Sequence, residues 1–325
     1  MTERVARIAR TGGPDVIEWH DVDLPPPGPG EVRLRHKAVG LNFIDTYHRS
    51  GLYKVDLPAG LGSEAAGVIE AVGEGVTGFA PGQRVATFGP SRGAYATARN
   101  VAAAELVALP DDISDEVAAA ALLKGGTAEF LAERCARVEA GWPVLVHAAA
   151  GGVGLILVQW LASLGARVIG TVGDQAKVAA ARAAGAGHVL LSRDEDIAAR
   201  VRELTGGEGV RVVFDGVGEA TWEASLASAA RRGLIVSYGN ASGAVTGVAL
   251  GTLSAHGSLF VTRPTMFDYW REPEERAAAA ERLWAMIREG RIKLTIGARY
   301  PLEDAAQAHT DLEARRTSGS TLLLP

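Results

Sequence analysis

One thiol, Cys135, is all that the 325 residues offer. A lone cysteine excludes an internal disulfide and any zinc site built from thiolates. The seven histidines are scattered, with no H-x-x-x-H spacing to suggest a metal pair. No apolar run reaches the roughly 18 residues of a membrane span, and the opening MTERVARIAR has no apolar stretch of a secretion signal. The most apolar segment, HAAAGGVGLILVQWLASLG, is broken by glycines and suits a buried strand, turn and helix. Net charge is −5 and no Lys/Arg run stands out, so nothing favours nucleic acid or an acidic membrane surface. These absences lead to the expectation of a cytoplasmic chain in a reducing compartment.

What is present is a large apolar fraction, 47% against 22% charged, in a length that suggests two domains. Up to Leu109 the chain is rich in Gly, Pro and Val. EVRLRHKAVG and AAGVIEAVGEGV read as strands, and DLPPPGPGEV as a surface turn, so this part is expected to be a small, partly open β-barrel. The texture then changes. The stretch from Leu109 to Val138 reads as helix, with Ser114 as N-cap and Asp115 and Glu116 in the first turn. Strands are expected at Val144–Ala148, Arg167–Val172, His188–Leu191, Val210–Phe214, Leu234–Tyr238 and Ser258–Thr262, with helices at Gly152–Leu164, Gln175–Ala184, Asp194–Leu204 and Ala220–Ala229. Short apolar strands with helical crossovers predict α/β architecture with a doubly wound, six-stranded parallel sheet. The terminal STLLLP reads as a strand too short for a domain of its own, and is expected to return to the N-terminal unit.

The sharpest local pattern is Ala149–x–Gly151–x–x–Gly154, between the first expected strand and helix of that sheet. Small residues there let backbone approach a pyrophosphate, and the helix N-terminus offers N–H groups and a positive dipole end. The bland alternative is a glycine turn needed only for packing. At the end of the second strand, IGTVGDQAK has no acid placed for a ribose 2′-OH. Gly170 and Thr171 leave room there, Lys177 is a cation for a 2′-phosphate, and Arg193 is a second. Asp174 would repel a phosphate unless it caps the next helix. NADPH is therefore expected over NADH, although a solvated helix lysine is a real alternative for Lys177.

The stretch GLNFIDTYHRSGLY, from Gly40 to Tyr53, carries more hydrogen-bonding side chains than a turn needs, yet no nucleophile. Together with GGPDV, LGSEAAGVIEAVGEGV, LLKGGTA, HAAAGGVG, GTVGDQAK, VRVVFDGVG, SYGNASGAVTGV and VTRPT, it makes the chain resemble the zinc-independent quinone oxidoreductases. These are the ζ-crystallin-like branch of the medium-chain dehydrogenase/reductase superfamily, and the resemblance covers essentially the whole chain. It implies a chaperonin-10-like β-barrel catalytic domain over 1–123 and 267–325, an inserted Rossmann NADPH-binding domain over 124–266, and a homodimer joined through GSLFVT. Zinc-dependent relatives have Cys where Asn42 stands and Gly-His-Glu where Gly62–Ser63–Glu64 stands, so no metal is expected.

The reaction so implied is NADPH-dependent reduction of a quinone by hydride transfer without a metal. The alternatives are an enone or 2-alkenal reductase, and a nucleotide-binding protein without significant catalysis. The resemblance places Asn42, Asp45, Thr46 and Tyr47 against the nicotinamide, with Tyr47 first and Asn42 second for positioning the quinone. Asp45 is equally readable as a turn cap. Lys124 and Thr127 would face the nicotinamide side. Gly151, Gly152 and Val153 would meet the pyrophosphate. Gly173, Lys177, Ser192 and Arg315 would lie on the adenosine side, with Ser192 standing where relatives often have Tyr. Tyr238, Gly239, Asn240 and Ala241 end a strand at the ligand edge, and Pro264, Thr265 and Met266 would reach the nicotinamide amide. His147 is expected to be core, and Cys135 a packed thiol.

Overall fold

Residues 2–325 are described in the structure, a computed structural model. The chain divides into two compact units.

The first comprises the chain up to Leu123, together with Trp270–Trp284 and Leu294–Pro325. Its backbone is the strand Glu31–Leu41, in which Val32, Leu34, His36 and Ala38 point inward while Arg33 and Arg35 point toward solvent. That period of two is what a sheet with one dry face requires. The sheet runs in the spatial order 296–301, 320–324, 31–41, 64–72, 84–88, 106–108, and the strand Ala98–Ala102 also pairs with Glu31–Leu41. The final strand Ser320–Leu324 sets Thr321 opposite Leu41 and Leu323 opposite Val39, so the end of the chain completes the sheet begun near its start. A three-stranded sheet of Thr2–Ile8, Glu18–Asp23 and Ala59–Gly60 stands beside it. Ile8, Leu41, Leu61, Tyr95, Leu302 and Leu323 share one core.

The second unit holds Lys124–Tyr269 and Ala285–Lys293. Six parallel strands lie in the order His188–Leu191, Arg167–Val172, Pro143–Val146, Val210–Asp215, Ala229–Ser237 and Phe260–Thr262. Leu145, Ile169, Val213 and Ile235 belong to one core cluster in this unit. Trp160 is fully buried, and its indole N–H donates to Glu133 at 2.8 Å.

Several expected boundaries move. The helix placed at Ala220–Ala229 is a short 3-10 turn followed by Trp222–Ser228, because Ala229 already starts a strand. The sequence reading began that strand only at Leu234, because the exposed Arg231 and Arg232 interrupt its apolar pattern. The strand expected from Ser258 begins only at Phe260, since Ser258 has φ +58 and cannot continue an extended run. The helix Asp115–Glu129 is capped by Ser114, whose hydroxyl accepts from Val117 N–H at 3.2 Å, and it widens into a π-turn at Phe130–Cys135.

Candidate active site

In the first unit, GLNFIDTYHRSGLY folds into a helix, Phe43–Ser50, that ends on Gly51 at φ +85. Asn42 precedes it in extended conformation, and its backbone N–H donates to Asp45 Oδ2 at 3.0 Å. The Asn42 amide nitrogen donates to Glu64 Oε2 at 2.8 Å and to the Gly40 carbonyl at 3.2 Å. Glu64 is fully buried, and its other oxygen accepts from Leu123 N–H at 2.6 Å. A side chain on Gly40 would strike that carboxylate and the Ala119 carbonyl, so glycine is required there. The Ser63 hydroxyl donates to Asp45 Oδ1 at 3.3 Å.

These positions do not suit zinc. A zinc ligand must offer a lone pair, but Asn42 is turned to donate and both Glu64 oxygens already accept. Among the described residues no three His, Cys, Asp or Glu side chains gather into a ligand set.

The sequence placed Asn42, Asp45, Thr46 and Tyr47 together, and all four are buried. They face different tasks, however. Asp45 has no exposed surface and points into the domain, so direct contact with a ligand is closed to it. The Thr46 hydroxyl donates to the Phe43 carbonyl at 2.7 Å. The Tyr47 ring packs edge-on against Tyr53 with centroids 5.2 Å apart, and His48 meets the same Tyr53 at 6.0 Å. Burial, then the charge of Arg92, lowers His48 to about 4, so it is neutral at physiological pH.

Four further residues complete the network, and sequence reading missed them. Arg49 sits in the segment itself, one turn after Asp45, while Tyr95, His309 and Glu313 reach the cluster from sequence separations of 50 to 264 positions. No spacing rule links such residues. The one hint in the sequence was Asp45 and Arg49 placed four apart in GLNFIDTYHRSGLY, which the structure buries together on one helix face.

In the second unit, the strand Pro143–Val146 runs into a turn where Ala148 adopts φ +52, and the helix Gly152–Ser163 begins after Gly151 without a side-chain cap. The first N–H groups of such a helix have no acceptor within it, which makes the turn suited to an anion. A Cβ on Gly154 would collide with the Ala148 carbonyl oxygen. This small-residue cradle fits a dinucleotide pyrophosphate over Gly151, Gly152 and Val153.

The adenosine side needs a correction. Gly170 does not leave room for a ribose; its missing side chain accommodates Ala149, whose Cβ lies 2.7 Å from where a Gly170 Cβ would be. Thr171 is buried too, with Oγ1 3.1 Å from His147 Nδ1. The open position is Gly173, and Arg193 Nε lies 4.0 Å from the place its Cβ would take. Asp174 is a cap, accepting from Ala176 N–H at 2.9 Å. Lys177 closes that 3-10 turn and is partly exposed. The Ser192 hydroxyl donates to the Val172 carbonyl at 3.2 Å.

Tyr238 N–H donates to the Asp215 carbonyl, and its ring fills the space a Gly216 side chain would need, while Gly239 packs on the Gly216 carbonyl. Asn240 and Ala241 follow in the same loop, half-buried. The Thr127 hydroxyl points to Met266 Sδ at 3.8 Å, and Lys124 is buried. Pro264 and Thr265 lead into Met266. Arg315 belongs to the first unit, exposed, at φ +59.

His147 is core as expected, but it is also wired: its Nε2 lies 3.1 Å from Ser225 Oγ, which donates to the buried Asp215. Cys135 is half-buried, and burial raises its thiol.

Comparison with known proteins bears on both units. A family model described as an alcohol dehydrogenase GroES-like domain matches residues 28–111, and one described as zinc-binding dehydrogenase matches 152–284. The chain is 51% identical over 326 residues to a quinone oxidoreductase of Pseudomonas aeruginosa, covering 100% of both. It superposes on the quinone oxidoreductase of Pseudomonas syringae with a TM-score of 0.98 at 48% identity, covering 100% of both chains. The Escherichia coli quinone oxidoreductase complexed with NADPH gives 0.97 at 46% identity, over 99% of this chain and 100% of that one.

Proposed function

Since the chain belongs to the quinone oxidoreductases of the medium-chain dehydrogenase/reductase superfamily, we propose that it reduces quinones with NADPH, without a metal. The observation that carries this reading is the pairing of Asn42 with Glu64. It converts the place of a zinc ligand set into a closed hydrogen-bonded pair. Polarising an alcohol would need a Lewis acid that these residues do not hold. A quinone is reduced readily and asks the protein chiefly for position and a dry setting.

NADPH, when bound, supplies the hydride that, with a proton from solvent, converts quinone to hydroquinone. The chain's own residues do the rest. The N–H groups of Gly152 and Val153 hold the pyrophosphate at the helix N-terminus, and Gly154 keeps the turn tight enough for that approach. Lys177 and Arg193, which lies near Gly173, would neutralise the cofactor's 2′-phosphate, while Asp174 is turned to its cap. Tyr238 to Ala241 and Pro264 to Met266 shape the remainder of the cofactor site, with Thr127 and Lys124. Tyr47 donates to the quinone oxygen, and Asn42 holds the slot. The β-barrel unit is the catalytic domain and the parallel-sheet unit the cofactor domain.

Two coarser matters belong to the same proposal. The outer edge of the parallel sheet carries Phe260, 62% exposed, with Val261 also exposed. An unpaired apolar edge calls for a partner, which supports a homodimer through Phe260–Thr262. A single thiol, with no described helix long and apolar enough to cross a membrane, supports a cytoplasmic setting.

Steady-state NADPH oxidation with 1,4-benzoquinone and a naphthoquinone, set against a 2-alkenal, tests the reading. Turnover of the quinones is expected. Turnover of the alkenal alone would replace it with alkene reduction, and no turnover of either would leave only nucleotide binding.

A further inference from the structure

Behind the Phe43–Ser50 helix lies a hydrogen-bonded chain whose direction can be deduced. Arg49 Nη1 is 3.0 Å from His309 Nδ1. The same guanidinium forms a paired contact with Glu313 at 2.7 and 3.0 Å, and its Nε donates to the Gly12 carbonyl at 3.0 Å. A guanidinium only donates, so His309 Nδ1 accepts and carries no proton. Burial, then the charge of Arg49, holds His309 at about 3, so the ring is neutral at working pH and its one proton is on Nε2. That N–H donates to Tyr95 Oη at 2.9 Å. The Tyr95 hydroxyl proton is thereby directed to Asp45 Oδ2, 3.1 Å away. The phenol keeps its proton, because burial, then Asp45, raises its ionisation well above the usual value. Asp45 Oδ2 also accepts from Asn42 N–H and Oδ1 from the Ser63 hydroxyl.

The members come from separate parts of the chain. Asp45 and Arg49 share one face of the short helix, one turn apart. Tyr95 comes from a loop, and the stacking of its ring on Gly62 is possible only because Gly62 has no side chain. His309 and Glu313 come from the helix Ala305–Glu313, in the segment that returns at the end of the chain. Burying so many polar groups is costly unless each finds its partner, and it specifies direction in a way apolar packing does not.

We propose that His309 and Tyr95 are positioning residues for quinone reduction, acting through Asp45 to fix the Asn42 backbone and the Ser63 hydroxyl. They thereby set the conformation of the segment that carries Tyr47. This rests on the reading of that segment as the substrate site.

The test uses the full-length protein and the variants Y95F, H309L and H309Q. Quinone turnover, NADPH affinity by fluorescence titration and the folded fraction by circular dichroism are measured for each, with nitrogen-15 spectra of the histidine rings in the wild type. Y95F and H309L are expected to lower kcat about tenfold, the worth of one hydrogen bond. NADPH affinity should stay within about twofold, because the cofactor's phosphate contacts are untouched. H309Q is expected to recover most of the loss, since its amide oxygen can accept from Arg49 and its amide nitrogen donate to Tyr95. The ring spectra should show Nδ1 bare and Nε2 protonated from about pH 5 to 8.

Activity of folded Y95F and H309L equal to wild type would overturn the proposal. So would losses that only follow the folded fraction, or failure of both variants to fold, since each marks a purely structural role. If Y95F alone does not fold, the contrast between H309L and H309Q decides. If the wild type reduces no quinone, the functional reading fails by itself, and the ring spectra still decide the hydrogen-bond chain. A proton on Nδ1 would overturn it.

Discussion

Asn42 and Glu64 depend on each other's chemical type. Asn42→Asp would set a second carboxylate against a buried one that now accepts a 2.8 Å hydrogen bond. It should cost about 3 kcal/mol of stability, more than Asn42→Ala, which removes the donor without adding a charge. Urea unfolding of the two variants checks the order, and the reverse order would remove Glu64 as the partner that matters. On the nucleotide side, Lys177→Ala should raise the KM for NADPH about tenfold and leave NADH unchanged, as expected for one lost phosphate contact. Adding Arg193→Ala should widen the gap. Equal effects on the two cofactors would show that neither cation reads the 2′-phosphate. The preference for NADPH could be argued from the residues themselves, whereas the expectation of no zinc at Asn42 and Ser63 needed the resemblance to zinc-dependent relatives. The reading of Gly170 could not be argued from the residues alone. Whether a missing side chain makes room for a ligand or for Ala149 depends on what lies across from it.

The elements were readable where local signals and tertiary packing agree. Ser114 followed by Asp115 and Glu116 marks a helix start, and the structure gives Ser114 the capping bond. Ser114→Ala should cost about 1 kcal/mol, visible as a lower melting temperature with unchanged turnover; an unaltered melt would show that packing alone starts this helix. The turn after Pro143–Val146 is a second case of agreement. Gly154→Ala should weaken NADPH binding at least tenfold, because either the Ala148 carbonyl or the helix start must move by about 1 Å. A fluorescence titration with NADPH checks it. The Phe43–Ser50 helix was missed although Asn42 with Asp45 and the closing Gly51 mark its two ends, because its buried face is polar. An apolar stripe is what periodicity detects, and here the stripe is Asp45 and Arg49 instead. The strand Ala229–Ser237 was likewise shortened in the sequence reading by two exposed arginines inside it.

At the scale of the molecule, His36 and His309 make stability depend on pH. Both are held at about 3 in the folded chain: His36 by burial, then Arg99, and His309 by burial, then Arg49. In the unfolded chain each titrates near 6.5. Below that pH the unfolded chain takes up protons that the folded chain refuses, so stability falls as pH drops; above it the contribution is constant. By pH 5 the loss is on the order of 2 kcal/mol for each buried ring. Denaturant unfolding at pH 5 and pH 7.5 would reveal it, and H309Q should reduce the difference by one ring's share. A midpoint that does not move would mean that the rings are protonated in the fold. Assembly is the second property at this scale. For the homodimer proposed above, Phe260→Glu, which puts a charge on the exposed sheet edge, should shift sedimentation from dimer to monomer while preserving the fold. An unshifted dimer would place the interface elsewhere.

By itself the sequence determined the alternation of strand and helix and the small-residue turn. Each is written in neighbouring residues, and short-range sterics and side-chain chemistry suffice to read it. Only the tertiary structure decided what surrounds the substrate segment. Tyr95 and His309 lie 214 positions apart, and nothing in one announces the other. Their meeting follows from the last strand pairing with Glu31–Leu41, which carries the helix Ala305–Glu313 back into the first unit. The direction of the chain from Arg49 to Asp45 then follows from which atoms can donate, and that is decided by who faces whom once the chain has folded.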